Sequence, residues 1–101
     1  MSKTYKVVYN TCFGGFGLSR KAIARLTELG VVYESEYDYS YYMKRHDPLL
    51  VQVVEELGDG AGAEYSKLMA EEISSPLYII QEYDGSETVM TPEDIEWIKI
   101  E

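Results

Sequence analysis

The hydrophobic positions of this chain change their spacing several times, and each change marks an element. Thr4 to Cys12 is rich in β-branched and aromatic residues and predicts a first strand. It runs into Phe13-Gly14-Gly15-Phe16-Gly17, a glycine-dense turn. Ser19 is a good N-cap, and Ala22, Ile23, Leu26 and Leu29 then recur at helical spacing until Gly30 ends the helix as its C′ residue. Between Val31 and Met43 the spacing drops to two, with Tyr33, Tyr37, Tyr39 and Tyr41 separated by Glu34, Glu36 and Asp38. That alternation predicts an edge strand or hairpin arm, with an ordered loop as the other reading.

Helical spacing returns at Asp47-Pro48, an N-cap followed by proline at the first helical position. Leu50, Val53, Val54 and Leu57 form the buried stripe, and Gly58 stops it. Asp59 to Gly62 is a flexible link. Lys67 to Ile73 and Leu77 to Tyr83 predict two strands around Ser74-Ser75-Pro76, and Asp84-Gly85 is a hairpin signal leading into Glu87 to Met90. Thr91-Pro92-Glu93-Asp94 resembles the capping sequence of one helical turn, and Trp97, Ile98 and Ile100 read as a short strand or docked tail. The expected class is α+β in one domain, residues 1–101. Its architecture would be an antiparallel or mixed sheet of about four to five strands with two helices packed on one face.

Composition narrows the function classes. The 101 residues are 46% hydrophobic, enough for one core and against wholesale disorder. A single cysteine, Cys12, allows no intramolecular disulfide, and with one histidine, His46, it excludes a Cys/His zinc site within one chain. The N-terminal stretch lacks the apolar run of a signal peptide and no segment has the length to span a bilayer, so a cytoplasmic protein is expected. Net charge is −9 and unevenly spread. Residues 1–27 hold five bases (Lys3, Lys6, Arg20, Lys21, Arg25) and no acid, whereas residues 46–101 hold fourteen acids against Lys67 and Lys99. An acidic surface disfavours direct contact with nucleic acid or lipid headgroups and suits a basic protein partner, although acidity also serves solubility alone.

Three stretches together resemble a family of small proteins encoded by bacteriophages and large DNA viruses. They are Tyr9-Asn10-Thr11-Cys12-Phe13-Gly14-Gly15-Phe16-Gly17-Leu18-Ser19, then Arg45-His46-Asp47-Pro48-Leu49-Leu50-Val51 with Val54-Glu55-Glu56-Leu57-Gly58, and Glu82-Tyr83-Asp84-Gly85-Ser86-Glu87. The resemblance runs from about Lys6 to Val89 and implies a viral accessory protein without supplying an activity. The chain departs from that pattern in two places. Arg20 and Lys21 stand where acids are common, and Val31–Met43 is longer and richer in tyrosine.

Four constellations could carry chemistry. The Gly14, Gly15 and Gly17 turn, Ser19 and the helix N-terminus, with Arg20 and Lys21 in the first turn, could receive an anion, with Arg45 and His46 converging on it. The other reading of these glycines is a tight turn and close helix–sheet packing, since neither a P-loop nor a complete dinucleotide fingerprint is present. His46 could act as acid or base with Asp47 orienting it, but no nucleophile is placed beside it by sequence, and no catalytic residue is assigned. Glu82, Asp84 and Glu87 could hold a hard cation or be solvated hairpin residues; no metal and no cofactor are assigned. The segment Tyr33, Glu34, Glu36, Tyr37, Asp38, Tyr39, Tyr41 and Tyr42 offers rigid aromatic contact area beside carboxylates, or one face of it covers the core.

These readings point to binding rather than turnover. The first expectation is a viral accessory protein that binds and inhibits a host factor with a basic surface through the tyrosine–acid segment. That factor would be a defence or nucleic-acid-handling protein, which makes the chain a counter-defence, anti-CRISPR-type candidate. The alternative is a binder or sequesterer of a small anionic ligand such as a nucleotide signal at the glycine turn. No direct contact with nucleic acid or membrane is expected, and self-association stays open.

Overall fold

The computed structural model describes residues 3–101; Met1 and Ser2, the start of the strand-like opening stretch, lie outside the described residues. Strand β1 (Tyr5–Asn10) is the axis of the molecule because both of its faces are buried. It pairs antiparallel with β2 (Leu68–Ile73), in a register running from Tyr5 opposite Ile73 to Asn10 opposite Leu68. Successive side chains leave a strand on opposite faces, so adjacent valines join different cores. Val8, with Leu68, enters a cluster built on Leu26, Leu50 and Val53, while Val7 and Ile73 meet Val89 on the other side. Full burial of each such aliphatic side chain contributes about 1.5–3 kcal/mol.

The first core is supplied by three helices, α1 (Arg20–Glu28), α2 (Glu36–Tyr42) and α3 (Pro48–Leu57). Helix α1 starts where expected, with the Ser19 hydroxyl accepting the Ala22 N–H. It ends with Gly30 N–H donating to the Thr27 carbonyl and Val31 N–H to that of Leu26, the paired bonds of a Schellman stop. Asp47 caps α3 through the Leu49 N–H at 2.9 Å, with Pro48 at the first position. Helix α2 occupies the segment whose tyrosine alternation predicts a strand, and that expectation is corrected here. Ser35 accepts the Tyr37 N–H, and Glu36 and Asp38 lie in the positive first turn, so local capping sets the helix.

Strands β3 (Ile79–Tyr83) and β4 (Ser86–Met90) form the expected hairpin around Asp84-Gly85, both at positive φ (53° and 90°). This ribbon closes the second core by laying Val89 against Val7 and Ile73. The α+β class holds, but the four strands make two two-stranded antiparallel sheets instead of one. The reason lies at the free edge of β1. Val8 N–H donates to the Arg45 carbonyl at 2.8 Å, and Asn10 N–H donates to the Glu87 carboxylate at 2.9 Å. Those groups are therefore not available to the β4 backbone, and β4 lies beside β1 without continuing its ladder. Pro92–Asp94 is a single capped 3-10 turn, as its sequence suggests. Trp97, Ile98 and Ile100 form neither strand nor docked tail; all three are exposed, and the Trp97 indole N–H donates to the Pro92 carbonyl.

Candidate functional site

The three motif stretches, Tyr9–Ser19, Arg45–Gly58 and Glu82–Glu87, meet in space. Asn10 is fully buried, and its amide is saturated. Its Nδ2 donates to the carbonyls of Cys12 (2.6 Å) and Gly85 (2.8 Å), and its Oδ1 accepts the N–H groups of Cys12 (3.1 Å) and Lys67 (2.8 Å). Beside it Arg45 makes a two-pronged pair with Glu87, Nη1 to Oε1 at 2.7 Å and Nη2 to Oε2 at 2.9 Å. The Glu87 side chain is only 8% exposed. The guanidinium also lies 3.6 Å from the centre of the Phe16 ring, a cation–π contact on a planar, weakly hydrated cation. Gly85 brings the hairpin turn against the glycine turn so closely that a β-carbon on it would collide with the Phe13 carbonyl, and one on Gly14 would collide with Tyr65. These residues are occupied in holding the two ribbons together. Among the described residues no buried polar side-chain atom lacks a partner.

Arg45 reaches the glycine turn through Phe16, but most of the anion-site residues are engaged within the chain or face solvent. Gly14 N–H donates to the Tyr65 carbonyl. Ser19 Oγ accepts the Ala22 N–H and donates to the Gly60 carbonyl at 2.6 Å. Gly17 packs against Ala63 and Ser66, and the Ser66 hydroxyl donates to the Gly15 carbonyl at 2.6 Å. Arg20 and Lys21 extend into solvent, and Arg45 is neutralised by Glu87. His46 has its Nδ1 2.7 Å from the Tyr78 hydroxyl. Burial holds that phenol above its ordinary value, against the pull of the Arg45 charge. Asp47 gives its Oδ1 to the Leu49 N–H as helix cap. Ser75, which shares a cleft with His46 and Tyr78, is bonded to Leu77 through both its proton and its oxygen. Glu82 and Asp84 are exposed while Glu87 turns inward, and no cluster of three or more metal-binding side chains occurs among the described residues.

The tyrosine–acid segment, by contrast, is assembled into one surface. Tyr39 faces inward, with its hydroxyl hydrogen-bonded to the Val31 carbonyl (3.2 Å), the Thr27 hydroxyl (2.9 Å) and the Tyr33 N–H (3.3 Å). Tyr33 packs edge-on against Tyr39 and stacks on Tyr42, and Tyr42 meets Tyr41 edge-on at 4.9 Å. Tyr37 and Tyr41, four residues apart and so on one helix face, are 86% and 80% exposed. Glu34, Glu36 and Asp38 lie among them. Among the described residues no basic side chain forms an ion pair with Glu34 or Asp38, and Glu36 has only Arg20 at 3.9 Å. Of the bases in the first third of the chain, Lys6 pairs with Glu55 at 2.6 Å and Arg25 with Glu56 at 3.0 Å, away from this segment. Next to Tyr37 lies an open groove of about 270 Å³, lined by Phe16, Gly17 and Leu18 of the glycine turn, Ile23 of α1, Glu36, Tyr37 and Ser40 of α2, and Ala63.

Three features of this geometry escape the sequence reading: the Arg45–Glu87 pair, the Asn10 hub and the groove. Each joins residues far apart in the chain. The local signal available was Ser35-Glu36-Tyr37-Asp38, a helix-capping pattern in the segment read as alternating. No helix among the described residues is long and apolar enough to cross a membrane. No protein-family model, curated protein or solved structure matches the chain.

Proposed function

We propose that this chain is a binding protein that occupies a basic surface of a protein partner through α2, and that it acts as a viral accessory protein blocking a host factor of defence or nucleic-acid handling. The observation that carries the binding reading is the pair of solvent-facing tyrosines, Tyr37 and Tyr41, on a helix whose acids have no firm basic partner. Exposed aromatic side chains in a fixed arrangement give contact area at low entropic cost, and uncompensated carboxylates attract and orient a cationic surface. The viral setting comes from the resemblance of the three motif stretches. Those stretches are spent on the fold, whereas the tyrosine segment lies outside them and is free to serve a partner. The anionic-ligand reading has less support, because Ser19, Arg45 and the glycine turn are already engaged within the chain.

Affinity capture from host-cell lysate tests this, with wild type and a Tyr37→Ala/Tyr41→Ala variant run in parallel and small molecules assayed after denaturation. The expected result is one stoichiometric protein partner lost in the variant, with each tyrosine contributing about 2 kcal/mol as an interface hot spot. Tyr39 is left intact, since truncating a buried aromatic costs about 3–5 kcal/mol and would confuse unfolding with lost binding. A nucleotide released from wild type with no protein partner would sink the reading, and so would a partner retained in full by the variant.

A further inference from the structure

We infer that the groove between α1 and α2 seats an arginine side chain from a protein partner. The inference rests on the reading of α2 as the contact surface and names the group that surface recognises. The lining is mostly apolar, and Glu36 is the charged residue in it. Phe16, Leu18 and Ile23 fit the aliphatic stem of a long basic residue, the exposed Tyr37 ring offers a face to a guanidinium, and Glu36 offers a carboxylate. The molecule already holds one guanidinium in this manner, with Arg45 stacked on Phe16 and paired with Glu87. At the groove the corresponding acid is held only weakly. The Arg20–Glu36 contact is the longest ion pair among the described residues, at 3.9 Å, and the Arg20 side chain is 91% exposed. Such a pair contributes little, so an incoming guanidinium that is also stacked and desolvated displaces it. Arg20 is thus a competitor for Glu36. An anion-binding site would need the opposite, with Arg20 as a ligand.

The sign of the Arg20 effect makes the test decisive. The probe is a short, otherwise uncharged peptide carrying one arginine, titrated into the ¹⁵N-labelled protein and followed by amide chemical shifts. Matched peptides carry lysine or the neutral isostere citrulline in its place, and inorganic phosphate serves as the anion. The expected result is saturable shifts at Gly17, Ile23, Tyr37 and Ser40 with the arginine peptide, weaker binding of lysine and none of citrulline. Glu36→Gln should weaken binding by about ten-fold, the worth of one charge-assisted contact, and Arg20→Ala should tighten it by about three-fold. Both residues are exposed, and unchanged shifts elsewhere would confirm that the variants fold. Absence of saturable shifts, equal binding of citrulline, weakening by Arg20→Ala, phosphate saturating the same amides, or concentration-dependent shifts there without peptide would each overturn the assignment. A captured partner that depends on Tyr37 and Tyr41, found alongside a failed peptide titration, would overturn the groove alone. Groove binding with no captured protein partner would instead count against the blocking-protein reading.

Discussion

Asn10 occupies the position where a side-chain amide is hardest to replace. Its two donors and its acceptor oxygen serve four backbone groups from three separate segments, those of Cys12, Lys67 and Gly85. An amide alone among side chains of this size can donate twice and accept twice. Each buried backbone group left without a partner costs about 1–3 kcal/mol. Asn10→Ala should therefore destabilise by at least about 3 kcal/mol on that basis, even if water reaches some of the four groups. Asn10→Asp has the same shape but cannot donate to the two carbonyls, and it places a charge near Glu87; it should be at least as damaging. Urea denaturation of the two variants beside the exposed control Tyr37→Ala, expected within about 0.5 kcal/mol of wild type, checks both statements. Equal stability of Asn10→Ala and the control would remove Asn10 from its place as hub.

Elements that carry their own punctuation are legible in the sequence; elements that depend on distant partners are not. Ser19 and Gly30 bracket α1, Asp47-Pro48 and Gly58 bracket α3, and Asp84-Gly85 turns the hairpin, because each acts within a few residues of itself. Helix α2 was open to misreading because Tyr33, Tyr37, Tyr39 and Tyr41 satisfy a period of two. The buried pair that matters is Tyr39 and Met43, four residues apart. Of the candidate site, the exposed tyrosines are legible and the groove is not, since the glycine turn and Ile23 share it with Glu36 and Tyr37 only once the chain has folded. The helical layer is also tied by ion pairs. Arg25 on α1 donates to Glu56 on α3 at 3.0 and 3.2 Å. This bond, with help from Gln52, holds the Glu56 carboxyl below its ordinary value of 4.5. The unfolded chain then takes up a proton that the folded chain refuses. The contribution is fully present above the unfolded value and is lost as the pH falls through the folded one. Glu56→Gln should lower the urea midpoint at pH 7 and lower it less, or not at all, at pH 3. A difference that persists undiminished at pH 3 would mean the side chain acts through packing instead of charge.

The molecule is extended, with two cores back to back on one strand pair and the residues from Glu96 onward exposed. Its principal extents are 53 × 36 × 23 Å, and its radius of gyration of 14.7 Å exceeds the roughly 13 Å of a compact chain of this length. The cores are unequal. Among the described residues the helical side gathers twelve buried residues, and the hairpin side Val7, Ile73 and Val89 with Tyr5, Tyr9, Tyr78 and Ile80 partly buried around them. With so little apolar burial, the hairpin depends on polar fastening, the Arg45–Glu87 pair and the Glu87 bond to the Asn10 N–H. Segments with few buried contacts open at lower free energy than the whole domain, so β3–β4 should detach before the helices unfold. Hydrogen exchange on the native protein should show the cross-strand amides of β3 and β4 exchanging through a smaller opening energy than those of Leu26 and Val53. Arg45→Ala leaves the Glu87 carboxylate buried without its cation, a loss of about 3 kcal/mol or more. That loss should speed exchange in the hairpin by about a hundred-fold and change the helical amides far less. If both groups of amides accelerate equally, the hairpin and the helical layer unfold together, and Arg45 is a support of the whole domain instead of the latch between its two halves.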